Sequence, residues 1–265
     1  METEPNSVLE SEMKTVRLGS VILGDGAPKI CVPVMGSDME QIRRAACEAC
    51  AAGAEIIELR IDSLSPDPSA EAAKAACRIV RESAAGIPLL FTQRTARDGG
   101  AGSPDAVAYE ALLTEMVKSR LCEAIDCELS VGDKAFARIV KAAHENEVIV
   151  VGSSHEFGEI GEMQRAGDWL LKQEALGADV CKAAVMTRDV HEALCAMQVY
   201  AQAHEQLKAP MIAIAMGPAG VMTRLCGACI GSCLTFGTAG KQSAPGQIDA
   251  MKLRAALETV ESALI

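Results

Sequence analysis

Lys182 stands in the run ADVCKAAVM (178–186), a lysine set among small apolar residues. Such surroundings strip water from an amine and favour its neutral form, which can attack a carbonyl carbon and close a Schiff base. The bland alternative is a lysine that snorkels from a strand end and keeps its charge in water. Its company argues for the first reading. His155 directly follows the apolar part of EVIVVGSSH (147–155), and an imidazole can both take and return a proton near neutral pH. Glu58, Arg60 and Asp62 alternate in EIIELRID (55–62), a period of two that puts three charges on one strand face. Arg94 ends IPLLFTQR (87–94), and Asp98 follows it closely. Arg224 lies beyond MIAIAM (211–216), and Ser243 and Gln247 lie beyond CLTFG (233–237). A guanidinium matches a carboxylate in a two-point grip, so Arg224 is the expected holder of an acid group. Glu58, Arg60, Arg94 and Asp98 also read as an ion-pair network, since buried charges need partners in either role. His144, His191 and His204 fall in helical segments and read as surface or packing residues.

These side chains need elements that bring them together. The runs ICVPVM (30–35), EIIELRID, IPLLFTQR, CEAIDCEL (122–129), EVIVVGSSH, ADVCKAAVM, MIAIAM and CLTFG have the length and composition of buried parallel strands. Between them, DMEQIRRAACEACAAG, PSAEAAKAACRIVRESAAG and PDAVAYEALLTEMVKSRL carry apolar residues at three- and four-residue spacing. Ser37-Asp38 precedes the first of these helices, Gly53 follows it, and Pro104-Asp105 opens the third. Eight strands alternating with about eight helices predict βαβ units and a parallel sheet. A closed (β/α)8 TIM barrel is the first expectation, with a short strand or hairpin at TVRLGSVILGDG ahead of it. An open doubly wound sheet is the second; no glycine-rich dinucleotide fingerprint follows the first strand, which counts against it. In a barrel the chemistry gathers at the C-terminal strand ends, where six strands here supply the polar residues named above. Residues 1–265 are expected to form one catalytic domain, with 1–13 a polar, flexible leader.

Composition narrows the partners. With 49% hydrophobic residues and 3% aromatics, the core must rest on aliphatic, Met and Cys side chains. The net charge of -11 argues against nucleic acid, whose phosphates are held by clustered Lys and Arg. The apolar stretch at 211–240 contains Arg224, Pro218 and repeated glycines, and reads as strand, helix and strand rather than a membrane span. Eleven cysteines in mostly apolar runs, after an acidic opening unlike a signal peptide, read as buried, reduced thiols of a cytoplasmic protein. Cys226, Cys229 and Cys233, and the pair Cys47 and Cys50, mimic metal spacing but lack a matching histidine cluster, so no zinc site is expected.

The motifs ELRID, FTQRTARDGG, SSHEF, CKAAVM, MGPAGVMTR and SAPGQI stand in order between about Thr15 and Ser262. Together they resemble the type I 3-dehydroquinate dehydratases, or 3-dehydroquinases, of the shikimate pathway. The resemblance implies a (β/α)8 barrel, usually a homodimer, with no metal or organic cofactor. It implies that Lys182 forms an imine with 3-dehydroquinate and that His155 is the general acid and base, supported by Asp98. It further implies that Arg224, Ser243 and Gln247 hold the substrate carboxylate, and that Glu58 and Arg94 meet its hydroxyls with Arg60 in support. Asp98 replaces a common Glu, Leu59 a common aromatic and Gln93 a common Phe, so the reach of Asp98 and the pocket wall are open points. A class I aldolase acting on a sugar-phosphate-like carbonyl and a non-catalytic ligand-binding barrel are the alternatives.

Overall fold

All eight apolar runs are strands, and a two-residue alternation sorts their side chains into two cores. The structure, a computed structural model, describes residues 15–158, 164–240 and 244–264. The leader at 1–13 and Ser243 lie outside the described residues. Strands β1 (Val16–Leu18) and β2 (Val21–Leu23) form an antiparallel hairpin. The main strands are β3 (Lys29–Val34), β4 (Ile56–Arg60), β5 (Leu89–Thr92) and β6 (Ala124–Glu128), followed by β7 (Ile149–Glu156), β8 (Val180–Met186), β9 (Met211–Met216) and β10 (Leu234–Thr238). β3 to β9 pair in chain order, all parallel, and β10 pairs with β3. The circle closes where Cys233 N donates to Met211 O at 2.7 Å and Ala213 N donates to Ser232 Oγ at 3.1 Å. A short β11 (Ile248–Asp249) continues beside β10. The fold is therefore a (β/α)8 TIM barrel with an N-terminal hairpin, and the open sheet is set aside.

Helices α1 (Met39–Ala51), α2 (Ala70–Ser83), α3 (Ala106–Ser119), α4 (Asp133–Glu145), α5 (Arg165–Ala175), α6 (Val190–His204), α7 (Val221–Leu225) and α8 (Ala250–Leu264) connect or flank the strands. Their starts follow capping chemistry: Asp38 accepts from Gln41 N at 2.8 Å, and Asp105 from Val107 N at 2.8 Å. Outward strand residues such as Ile57, Phe91, Ile125, Cys181 and Ala213 pack against buried helix residues such as Ile42, Cys77, Leu113 and Tyr200. Inward residues Cys31, Ile56, Leu90, Ala124, Val151, Val180, Ile212 and Leu234 pack against Leu18 and Leu23 of the hairpin, which floors the barrel. Each of those two leucines contributes about 1.5–3 kcal/mol of burial.

The stretch at 211–240 resolves into β9, α7 and β10, and among the described residues no helix is long and apolar enough to cross a membrane. The cysteines depart from expectation. All eleven are unpaired, but Cys47, Cys50, Cys195 and Cys229 are exposed and Cys226 is half-buried. Small apolar residues cover the outer as well as the inner helix faces, so an apolar run did not imply burial.

Candidate active site

Lys182 points into the barrel and is 4% exposed. The apolar flank seen in its sequence belongs to Cys181, Ala183 and Val185, which face outward. Inside, the amine meets charge: Nζ lies 3.4 Å from Asp126 Oδ2 and 3.8 Å from Glu58 Oε1, and 4.6 Å from the centre of the Phe236 ring. Its backbone is gripped from α5. Gln173 Oε1 accepts from Lys182 N at 2.9 Å, and Gln173 Nε2 donates to Lys182 O at 3.1 Å.

His155, near the end of β7, is held by one carboxylate oxygen. Asp98 Oδ2 accepts from His155 N at 3.1 Å and lies 3.1 Å from Nδ1. The shorter Asp98 therefore reaches the histidine, because the turn Ala96–Asp98 lies close over β7. Gly99 follows with φ +78°, and a side chain there would collide with the Phe157 ring. Burial first, then the cations Arg94 and Lys182, hold the His155 imidazole well below its ordinary pKa, so it is neutral at neutral pH. Burial likewise raises Asp98, against the pull of Arg94. Assigned from this network, Nδ1–H donates to Asp98, and among the described residues Nε2 makes no hydrogen bond.

Arg94 lies two residues past β5 and spans the ends of two strands. Nη2 donates to Asp126 Oδ2 at 2.6 Å, and Nη1 donates to Glu128 Oε1 at 2.9 Å and to Ser153 Oγ at 3.0 Å. Burial opposes its charge, but Asp126 and Glu128 raise its pKa well above the ordinary value. Burial also opposes the charge of Asp126, yet Arg94 and Lys182 hold that carboxyl well below the usual carboxylate range. Asp126 and Glu128 were missed by sequence reasoning. Their signal was available: they alternate in CEAIDCEL as Glu58 and Arg60 do in EIIELRID.

Glu58 and Arg60 share the inner face of β4 as expected, and Glu58 accepts from Thr92 Oγ1 at 3.1 Å. Asp62 does not continue that face. The chain bends into a 3-10 turn at Ile61–Ser63, and Asp62 folds back onto Arg60 with Nε–Oδ1 and Nη2–Oδ2 both 2.8 Å. Leu59 points into the outer core, and Gln93 donates to Pro66 O at 3.0 Å, so neither of these departures lines the cleft.

Arg224 is 1% exposed, and among the described residues its donors find backbone oxygens alone, Phe236 O at 3.4 Å and Pro245 O at 3.3 Å. Among the described residues its Nε has no hydrogen-bond partner, and burial alone lowers its pKa to about 10. Among the described residues it makes no ion pair, which leaves a buried cation facing an open cleft. That cleft is lined by Glu58, Arg60, Arg94, Asp98, His155, Lys182, Arg224 and Gln247. Phe157, Ile214, Met216 and Phe236 supply its apolar wall. Eight of the nine anticipated residues thus converge, and the ninth, Ser243, lies outside the described residues. The other three histidines do not line it, and among the described residues no group of three or more His, Cys, Asp or Glu is arranged to hold a metal.

The profile of the family described as Type I 3-dehydroquinase matches residues 30–263. The chain belongs to the type I 3-dehydroquinase family. It is 36% identical over 252 residues to a 3-dehydroquinate dehydratase of Escherichia coli O8, covering 95% of this chain and 100% of that one. Its fold matches a crystal structure of type I 3-dehydroquinate dehydratase from Clostridium difficile with covalently modified comenic acid. The TM-score is 0.90 at 33% identity, over 95% of this chain and 99% of that one. A 3-dehydroquinate dehydratase structure from Geobacillus kaustophilus gives TM-score 0.90 at 30% identity, over 95% and 98% of the two chains. Membership in this family removes the aldolase reading.

Proposed function

We propose that the chain dehydrates 3-dehydroquinate to 3-dehydroshikimate through an imine on Lys182. The observation that carries the reading is a single cleft holding the Lys182 amine, the His155–Asp98 pair and an Arg224 guanidinium that makes no ion pair among the described residues. Lys182 Nζ attacks the substrate ketone, and loss of water from the carbinolamine gives an iminium. His155 Nε2 then removes a proton from the adjacent carbon, and the electron pair moves into the iminium to give an enamine. The enamine expels the β-hydroxyl, which leaves as water with the proton that His155 returns. Hydrolysis of the product iminium frees 3-dehydroshikimate and restores the amine.

Arg224 holds the carboxylate with Gln247 and Ser243, and Glu58, Arg60 and Arg94 meet the ring hydroxyls. Asp126 and Glu58 balance the positive charge that the iminium carries, since both already flank Nζ. Family membership supports the reaction, and the covalently modified comenic acid in the Clostridium difficile relative is in keeping with covalent chemistry at such a site. The protein works as a homodimer, by family, and in the cytoplasm. Eleven unpaired cysteines support that compartment, because disulfides are rare where glutathione keeps thiols reduced.

Turnover of 3-dehydroquinate, followed by appearance of the conjugated enone, tests the reading together with Arg224→Lys. A lysine keeps the charge and loses the two-point grip. KM is expected to rise about 10- to 100-fold, the loss of one charge-assisted hydrogen bond of about 1.5–3 kcal/mol. No turnover by the wild-type protein, or an unchanged KM in the variant, contradicts the assignment it addresses.

A further inference from the structure

Glu128 does not line the substrate cleft, yet two of the cleft's residues hang from it. Its side chain, 1% exposed, closes the C-terminal end of β6. Oε1 accepts from Arg94 Nη1 at 2.9 Å and from Thr95 N at 2.8 Å. Oε2 accepts from Thr95 Oγ1 at 2.6 Å and lies 3.5 Å from Ser130 Oγ. Thr95 opens the turn Ala96–Asp98, whose last residue grips His155. One carboxylate therefore ties Arg94 to the turn that presents Asp98. Glu128 is itself fixed by its backbone N–H, which donates to the Tyr109 hydroxyl at 2.9 Å.

We propose that Glu128 is a positioning residue for the dehydration: as a carboxylate it holds Arg94 and the Thr95–Asp98 turn in place, and on protonation it releases a donor and slackens the His155–Asp98 pair. This inference rests on the imine reading above. The geometry requires an acceptor on both oxygens, and a protonated carboxyl turns one of them into a donor facing donors.

The charged and titratable groups around Glu128 are Arg94 past β5, Arg97 and Asp98 on the turn, Tyr109 on α3, and Asp126 on its own strand. Arg97 Nη1 donates to Ser130 O at 3.1 Å, beside the carboxyl. Burial raises the Glu128 pKa, Arg94 lowers it and Asp98 raises it again, and the balance stands at about 7. The carboxylate is thus the main form above pH 7 and is lost as the pH falls through that value. Glu128 also borders a small cleft with Thr95, Arg97 and Ser130 that does not contain Lys182.

The experiment compares wild type, Glu128→Gln and Thr95→Val in kcat and KM across pH, with thermal midpoint and borohydride trapping of the imine alongside. Glu128→Gln is expected to trap on Lys182 as wild type does while kcat falls about tenfold or more, part of the 10²–10⁴-fold that a placed acid–base group supplies. Its acid limb near pH 7 disappears, leaving only a limb below the ordinary histidine range. Thr95→Val removes one donor to the carboxylate and moves the acid limb of kcat to higher pH. A folded Glu128→Gln with wild-type kcat and an unmoved limb overturns the proposal. If Glu128→Gln does not fold, Thr95→Val decides: a moved limb sustains the proposal and an unmoved one overturns it. No trapping in the wild type would sink the imine reading and this inference with it.

Discussion

His155 is neutral at neutral pH because its surroundings are both dry and cationic, and Asp98 orders its ring without needing to charge it. In the proposed mechanism an imidazole in that state can accept a proton at once, and the imidazolium would be stabilised by Asp98 and Asp126. Asp98→Asn keeps the size of the side chain but offers an amide that can donate to Nδ1 and fix the wrong tautomer. Turnover is expected to fall about 10²–10⁴-fold, with imine formation on Lys182 retained. Single-turnover kinetics with trapping measures both, and near-normal turnover would contradict the acid–base assignment. Most of these residues were legible because their types are costly to bury and sit at strand ends. Asp126 and Glu128 were overlooked because acidic residues in a run look like solvated surface until the arginine they serve, Arg94, is seen across the barrel.

Elements are locked together by polar side chains that helices send into the seams of the sheet. The Tyr200 hydroxyl of α6 lies 3.2 Å from Ala183 O and 3.0 Å from Ile214 O, so its one proton is shared between the carbonyls of β8 and β9. Tyr109 of α3 accepts from Glu128 N at 2.9 Å and donates to Asp126 O at 3.2 Å on β6. Fully buried Gln173 of α5 does the same for the backbone of Lys182 and also donates to Ser154 Oγ at 3.0 Å. Gln173→Met fills a similar volume and leaves a buried N–H and C=O unpaired, at about 1–3 kcal/mol each. The thermal midpoint should drop by several degrees, at about 2–4 °C per kcal/mol for a domain of this size. An unchanged midpoint would mean that water or a neighbour replaces those bonds. Strands and helices were legible from apolar spacing alone. A glutamine within a helix reads as surface, and nothing local marks Gln173 as the residue that fixes the backbone of Lys182.

The whole barrel divides its two ends between stability and chemistry. The β1–β2 hairpin seals one end with Leu18 and Leu23, and the charged cluster occupies the other, where the strands end and the connecting turns fold over. Despite a net charge of -11, the cleft holds the Arg224 guanidinium without an ion pair among the described residues, as the proposed grip on an anion requires. Strand order followed from the sequence, because consecutive βα units lie side by side. Closure was the first expectation as well, but the contact that makes it, Ser232 and Cys233 meeting β9, is one that no local pattern encodes. The decisive measurement is to incubate the protein with 3-dehydroquinate, reduce with borohydride and map the adduct by mass spectrometry. A dehydrated adduct on Lys182 is the expected result. No adduct there, with no 3-dehydroshikimate formed before reduction, would contradict the imine chemistry.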